Sequence, residues 1–111
     1  MAVDDSNTID FVSLDPVKNQ AVLTISDHLD WNDSLTHQLI LQDKLNAYLR
    51  FVEGGELIQN FPKYLGLPIV FNVWFLHQPD SEGLVFLEKA REVIESAGFT
   101  LSFKVGLAKP N

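Results

Sequence analysis

Three histidines and a run of aspartates are the side chains of this chain that could carry chemistry. A stretch that reads as the end of a strand leading into a helix contains Asp27, His28 and Asp30. His37 follows about one turn into that helix, and His77 comes directly after a later strand. A histidine beside a carboxylate can act as a general base, because the carboxylate orients the ring. Two histidines and a carboxylate can also hold a transition metal.

These side chains can meet only if the elements that carry them end at the same edge of a sheet. In open sheets with parallel strands, ligands gather at the carboxyl ends of the strands. Neighbouring strands lie about 4.8 Å apart, so groups that follow two adjacent strands come within reach of each other. The sequence therefore gives four candidates for catalytic residues: Asp27, His28, His37 and His77.

A purely structural role is the competing interpretation of the same residues. Asp27, Asp30 and Asp33 have side chains suited to closing a turn and capping a helix, and Asp80 suits the start of another. Their spacing matches no recognised metal motif, and no serine or threonine lies in a nucleophile-elbow context. We therefore expect no metal and no cofactor, and we regard an enzyme as the less favoured class.

Hydrophobic periodicity predicts the elements that position these residues. Alternating apolar residues predict strands, helical spacing of apolar residues predicts two helices, and proline, glycine and asparagine mark the turns. The segment 56–66 has a mixed pattern, which favours either a short turn of helix or an irregular strap. The predicted strands are 9–14, 20–26, 68–77 and 100–105, and the predicted helices run from about 32 to 54 and from about 80 to 98.

The order β-β-α-β-α-β predicts a single α+β domain over residues 1–111, with loose termini at 1–8 and 107–111. Right-handed crossovers that step in one direction give a four-stranded mixed sheet of order 1-2-3-4 with two helices on one face. Strand 1 is then antiparallel to the other three. The alternative is a fourth strand placed between the second and third, with helices on opposite faces.

The face of the sheet without helices is predicted to be mixed in character, with one large aromatic residue, Trp74. Aromatic anchors on otherwise polar surfaces are favoured in interfaces. The alternative is that the N-terminal segment or the 56–66 strap covers Trp74. The predicted binding residues are Trp74, Val70, Asn72 and Val22 on this face, and Asp27 and Asp30 at the sheet edge.

The charge of the chain is concentrated in its N-terminal third. The net charge is −7, and residues 1–33 contain seven aspartates against one basic residue, Lys18. Nucleic-acid binding is disfavoured because it depends on clustered lysine and arginine. A basic protein partner is compatible with this charge. The other explanation is that these aspartates cap turns and helices and keep the protein soluble.

The composition favours a cytoplasmic protein. The chain has no cysteine, which excludes disulfides and thiolate chemistry. Its acidic start is unlike a signal peptide, and no apolar run approaches the roughly 20 residues that span a bilayer. We expect no membrane association.

Several stretches together resemble a family of small bacterial proteins of unknown function. They are Ala21–Trp31 (AVLTISDHLDW), Leu41–Leu49, the corner Gly54-Gly55-Glu56 and the segment Glu88–Phe99. The resemblance covers most of the chain and implies a bacterial cytoplasmic protein. It carries no activity, cofactor or catalytic residue.

The sequence as a whole favours a non-enzymatic binding or interaction module. We expect it either to dimerise through the open sheet face or an edge strand, or to bind a basic partner as an acidic immunity protein blocks a toxin. The alternative is a small enzyme or metal-binding protein that uses the Asp27, His28 and His77 edge of the sheet.

Overall fold

The structure, a computed structural model, describes residues 3–5 and 8–106. Its strands are β1 (Phe11–Asp15), β2 (Gln20–Asp27), β3 (Ile69–Phe75) and β4 (Thr100–Val105). Its helices are α1 (Ser34–Glu53), α2 (Glu56–Asn60) and α3 (Ser81–Ser96), with a 3₁₀ turn at Pro62–Tyr64.

The four strands form one mixed sheet of order β1-β2-β3-β4. β1 is antiparallel to β2, while β2, β3 and β4 are mutually parallel. The α+β fold and the strand order predicted from the sequence are therefore confirmed. The two long helices are also as predicted, and the ambiguous 56–66 segment forms a third, short helix followed by the 3₁₀ turn.

Local chemistry explains where the elements begin and end. The Asp15 carboxylate accepts the backbone N–H groups of Val17 and Lys18 in the β1–β2 turn, and Asn19 takes the left-handed conformation there. α3 ends in a Schellman motif, in which the N–H of Gly98 reaches the carbonyl of Glu95 and that of Phe99 the carbonyl of Ile94.

The core lies between one face of the sheet and the two long helices. α1 and α3 contribute to the same buried cluster as the sheet positions that the alternation predicted to face them. Its members include Ala21, Leu23, Ile25, Phe71, Val73, Phe75 and Leu101 from the strands, and Leu41, Leu45, Tyr48, Leu87 and Ile94 from the long helices.

Part of the N-terminal segment packs against the sheet. Val3 is buried and its N–H donates to the carbonyl of Ser26 over 3.0 Å, beyond the end of β1. The remaining residues of the predicted loose termini, 1–2, 6–7 and 107–111, lie outside the described residues. Among residues 3–5 and 8–106, no helix combines the length and the apolar content that a bilayer crossing requires.

Candidate functional site

The carboxyl edge of the sheet contains a buried histidine–aspartate pair. The His37 Nε2 atom lies 2.6 Å from Asp27 Oδ2, and the two side chains are 2% and 0% exposed. Asp27 is the last residue of β2, and His37 lies in the first turn of α1. The second Asp27 oxygen accepts the N–H of Leu29, which closes the turn between strand and helix. The sequence therefore predicted correctly that these two residues lie at one edge.

The hydrogen bonds of this pair fix how many protons it holds. His37 Nδ1 lies 2.9 Å from the carbonyl oxygen of Asp30, which can only accept, so Nδ1 carries a proton. A second proton must lie between Nε2 and the Asp27 carboxylate, on one atom or the other. The pair is therefore either imidazolium with carboxylate or neutral imidazole with carboxylic acid, and both forms have no net charge.

The Trp31 side chain packs over the His37–Asp27 pair. Its ring stacks on the His37 ring with centroids 3.7 Å apart, and its Nε1 donates to the carbonyl of His77 over 3.2 Å. The Trp31 ring also lies close to Gly83 of α3, where an added Cβ would come within 2.7 Å of the indole ring. The His37 and Asp27 side chains are almost completely buried, so the geometry supports a structural role for the pair.

The other two histidines do not join this pair. His28 is exposed and its Nε2 lies 3.9 Å from a carboxylate oxygen of Asp4, with both side chains about half exposed. His77 is exposed, and its backbone carbonyl rather than its ring takes part in the Trp31 contact. In the part of the chain that the structure describes, no group of three or more histidines and acids could hold a metal ion.

The remaining acids of this edge cap turns and helices. Asp30 accepts the N–H of Asn32, Asp33 is the N-cap of α1, and Asp80 is the N-cap of α3. Hydrogen bonds from the Thr36 hydroxyl and backbone N–H lower the pKa of Asp33. The Ser34 hydroxyl donates to Asp80 over 3.0 Å, which ties the starts of the two long helices together.

A second buried ion pair was not anticipated from the sequence. Lys44 of α1 donates to Asp10 Oδ1 over 2.9 Å, and the two side chains are 0% and 5% exposed. The other donors of its ammonium group reach the backbone carbonyls of Asp5 and Thr8. The available signal was the position of Lys44, which lies on the same helix face as Leu41 and Tyr48.

Tyr48 extends this network one turn further along α1. Its hydroxyl donates to the carbonyl of Thr24 over 2.7 Å and accepts the N–H of Asp10 over 2.9 Å. The second oxygen of Asp10 accepts the N–H of Ser26. Burial, assisted by the charge of Asp10, raises the pKa of the Tyr48 hydroxyl. The network fastens the N-terminal segment to α1 and to β2.

The predicted binding residues fall into two groups in the structure. Val22, Val70, Asn72 and Trp74 lie on the sheet face opposite to the long helices, as the alternation predicted. Val70 and Asn72 are only 8% exposed, whereas Val22 and Trp74 are partly exposed. Asp27 is 1% exposed inside the sheet edge, and Asp30 is on the surface.

Trp74 has an unusual environment on this open sheet face. Its indole Nε1 is buried and has no hydrogen-bond acceptor among the described residues. The Lys104 ammonium lies 5.8 Å from the centroid of its ring, at the distance of a cation–π contact. A buried indole N–H normally finds an acceptor, so the unpaired N–H of Trp74 is unusual.

Comparison with known proteins places the chain in a family but gives no activity. The model of a family of unknown function, DUF6572, matches residues 1–107. No curated protein and no solved structure matches the chain.

Proposed function

This chain belongs to the family of unknown function DUF6572, and we propose that it is a non-enzymatic interaction module. It associates with a second copy of itself through the open sheet face, and it presents an acidic surface to a basic protein partner. The observation that carries the proposal is the sheet face opposite to the long helices, whose strands place only two charged side chains and the partly exposed Trp74 there, on an otherwise strongly acidic chain.

The charge of the molecule favours the open face for self-association. The chain has a net charge of −7, so most approaches of two copies are repulsive. By the strand register, the charged side chains of the open face are Asp15 at one corner of the sheet and Lys104 at the opposite one. Two copies can therefore meet through this face with little electrostatic cost.

Trp74 supplies the anchor of this interface. Tryptophan residues dominate the binding energy of many protein interfaces, and they do so where they are surrounded by residues that exclude water. By the strand register, Ser26 of β2 and Lys104 of β4 lie beside Trp74 on this face, and Asn72 lies two positions before it in β3.

The acidic character of the chain supports the second part of the proposal. A small acidic protein that blocks a basic toxin, as an immunity protein does, would use such a charge for fast and selective association. We propose that the protein acts in the bacterial cytoplasm, and its lack of cysteine supports a reducing compartment.

Mass in solution tests the self-association. Sedimentation equilibrium over a range of concentrations is expected to give a dimer for the natural chain and a monomer for Trp74→Ala. The matched control is Leu39→Ala, which truncates an exposed residue of α1 and should leave the dimer intact.

A second variant separates loss of the interface from loss of the fold. Val22→Lys places a charge at a partly exposed position of the same face and should also give a folded monomer. A monomeric natural chain at all concentrations, or a dimer that survives both Trp74→Ala and Val22→Lys, overturns the proposal.

A further inference from the structure

Two charged side chains of opposite sign belong to opposite corners of the open sheet face. Asp15 ends β1 and pairs with Gln20, whereas Lys104 lies near the end of β4 and pairs with Trp74. β1 and β4 are the two edge strands of the sheet. The register places these corners three strand spacings and six positions apart, which is about 14 Å across the strands and about 20 Å along them. Asp15 and Lys104 of one copy are therefore about 25 Å apart and do not contact each other.

Both side chains are accessible to a second copy. Lys104 is exposed and Asp15 is partly exposed. Within residues 3–5 and 8–106, neither group takes part in an ion pair. The Asp15 Oδ1 atom accepts two backbone N–H groups of the β1–β2 turn, and Lys18 lies in that turn, outside the strands that form the face. Each of the two charges therefore gains an oppositely charged partner if another copy supplies one.

Symmetry and charge together select one orientation for two copies that meet through this face. A dimer of identical chains normally has a two-fold axis, and for two stacked faces that axis lies in the interface. An axis along the line from Asp15 to Lys104 sets like charges against each other. An axis along or across the strands sets each charge against a corner where the strands carry no charged residue on this face. An axis perpendicular to the line sets Asp15 of each copy against Lys104 of the other.

We propose that two copies stack through their open faces in this last orientation, with Asp15 of each copy paired to Lys104 of the other. The inference rests on the proposed self-association and adds its geometry. Each dimer then contains two identical ion pairs, one at each end of the interface, and charge complementarity of this kind fixes orientation. The strands of the two sheets cross at about 70° in this arrangement, which is nearer to orthogonal than to aligned sheet packing.

A double-mutant cycle tests this contact, with dimer dissociation constants measured by sedimentation equilibrium of the full chain. Lys104→Glu sets two carboxylates against each other at both ends of the interface, so it should weaken the dimer about tenfold more than Lys89→Glu does. Lys89→Glu is the matched control, because it makes the same change of net charge on the side of the long helices. Asp15→Asn removes the carboxylate charge but keeps an acceptor for the turn. In that background the excess weakening by Lys104→Glu should fall to about threefold or less.

Cross-linking of cysteine variants reports the orientation directly, because the natural chain contains no cysteine. One preparation carries Asp15→Cys and the other carries Lys104→Cys. A bismaleimide with a spacer of about 10 Å spans the distance between two stacked sheets. The mixture of the two variants should give a covalent dimer. Each variant alone should give little, because the same position in the two copies is about 25 Å apart along the interface.

Three results overturn the proposed orientation: an equal effect of Lys104→Glu in both backgrounds, no covalent dimer from the mixture, or efficient cross-linking of either cysteine variant alone. A natural chain that is monomeric at all concentrations overturns the self-association itself, and the orientation with it. A dimer that Trp74→Ala dissociates but that shows no coupling between Asp15 and Lys104 keeps the interface and loses only this geometry. The failure of the orientation and the failure of the proposed function are therefore distinguishable.

Discussion

Helix α1 contains two buried basic side chains, His37 and Lys44, two turns apart, and each is paired with an aspartate of the acidic N-terminal third. Both pairs are buried, but they differ in the distance along the sequence between the basic residue and its partners. His37 contacts Asp27 and Asp30, which lie within ten residues of it, and the pair closes the junction of strand and helix. Lys44 contacts a segment 34 to 39 residues away and fastens it to the fold.

The pairs also differ in how they can respond to the loss of a charge. An imidazole can release one proton and remain a good hydrogen-bonding group, with one donor and one acceptor. An ammonium group has three donors and no acceptor, and in the structure all three are directed at oxygen atoms. The His37 pair should therefore tolerate changes that the Lys44 pair does not. The charge imbalance of residues 1–33 thus serves folding in part, since Asp10 and Asp27 are internal.

The largest expected effect is that of breaking the Lys44 pair. Lys44→Met leaves the Asp10 carboxylate buried without its cation, and such a change costs about 3–5 kcal/mol. The free energy of unfolding, measured by urea denaturation, should fall by that amount. The control Arg50→Met removes an exposed cation from the last turn of the same helix and should cost about 1 kcal/mol or less. Similar losses for both variants would contradict the structural role of Lys44.

Replacement of each aspartate by asparagine compares the two pairs directly. In Asp27→Asn the amide can donate to Nε2 of a neutral His37 while its oxygen still accepts the N–H of Leu29, so the loss should be about 1 kcal/mol or less. In Asp10→Asn the amide nitrogen faces a donor, either Lys44 or the N–H of Ser26, and the loss should be about 2–4 kcal/mol.

Two measurements decide this comparison. Urea denaturation gives the two losses of stability, and nitrogen chemical shifts of His37 in Asp27→Asn should show the neutral tautomer protonated at Nδ1. Equal losses, or a His37 ring that stays doubly protonated in the Asp27→Asn variant, would show that the two pairs do not differ in the way the hydrogen bonds indicate.

The same difference in sequence separation explains what the sequence could and could not predict. Strand order, the two long helices, the caps and the open sheet face follow from local patterns, because periodicity and turn residues act over a few positions. Asp27 and His37 were both assigned to the carboxyl edge because each lies next to the junction of β2 and α1. Local patterns do not encode the direction in which each side chain points. For this reason only His37, of the three candidate histidines, contacts Asp27.

The Lys44 network shows the limit more clearly. Lys44 shares a face with Leu41 and Tyr48, so its burial could have been suspected. Its partners could not, because they lie in and beside a segment without periodicity that was predicted to be a loose terminus. Long-range pairing of one polar side chain with backbone carbonyls leaves no pattern in the sequence. The anchoring of Trp31 over His37 is hidden for the same reason, since its contacts with His77 and Gly83 join distant parts of the chain.

The smallest expected effect is that of alkaline pH. It tests the network around Lys44, because the hydroxyl of Tyr48 belongs to that network. Burial raises the pKa of Tyr48 in the folded protein, so above pH of about 10 the unfolded chain loses a proton that the folded protein keeps. The unfolded state then binds fewer protons, and stability falls by at most about 1.4 kcal/mol per pH unit from this group.

Removal of the Tyr48 hydroxyl isolates this contribution. Tyr48→Phe should lose about 1 kcal/mol at neutral pH, since the hydroxyl bonds to Thr24 and Asp10 disappear, and its stability should decline less steeply above pH of about 10. Tyr64→Phe is the control that keeps the steep decline. Urea denaturation at a series of pH values gives both curves. Parallel alkaline declines for Tyr48→Phe and the natural chain would show that the Tyr48 hydroxyl is not held in its neutral form by the network.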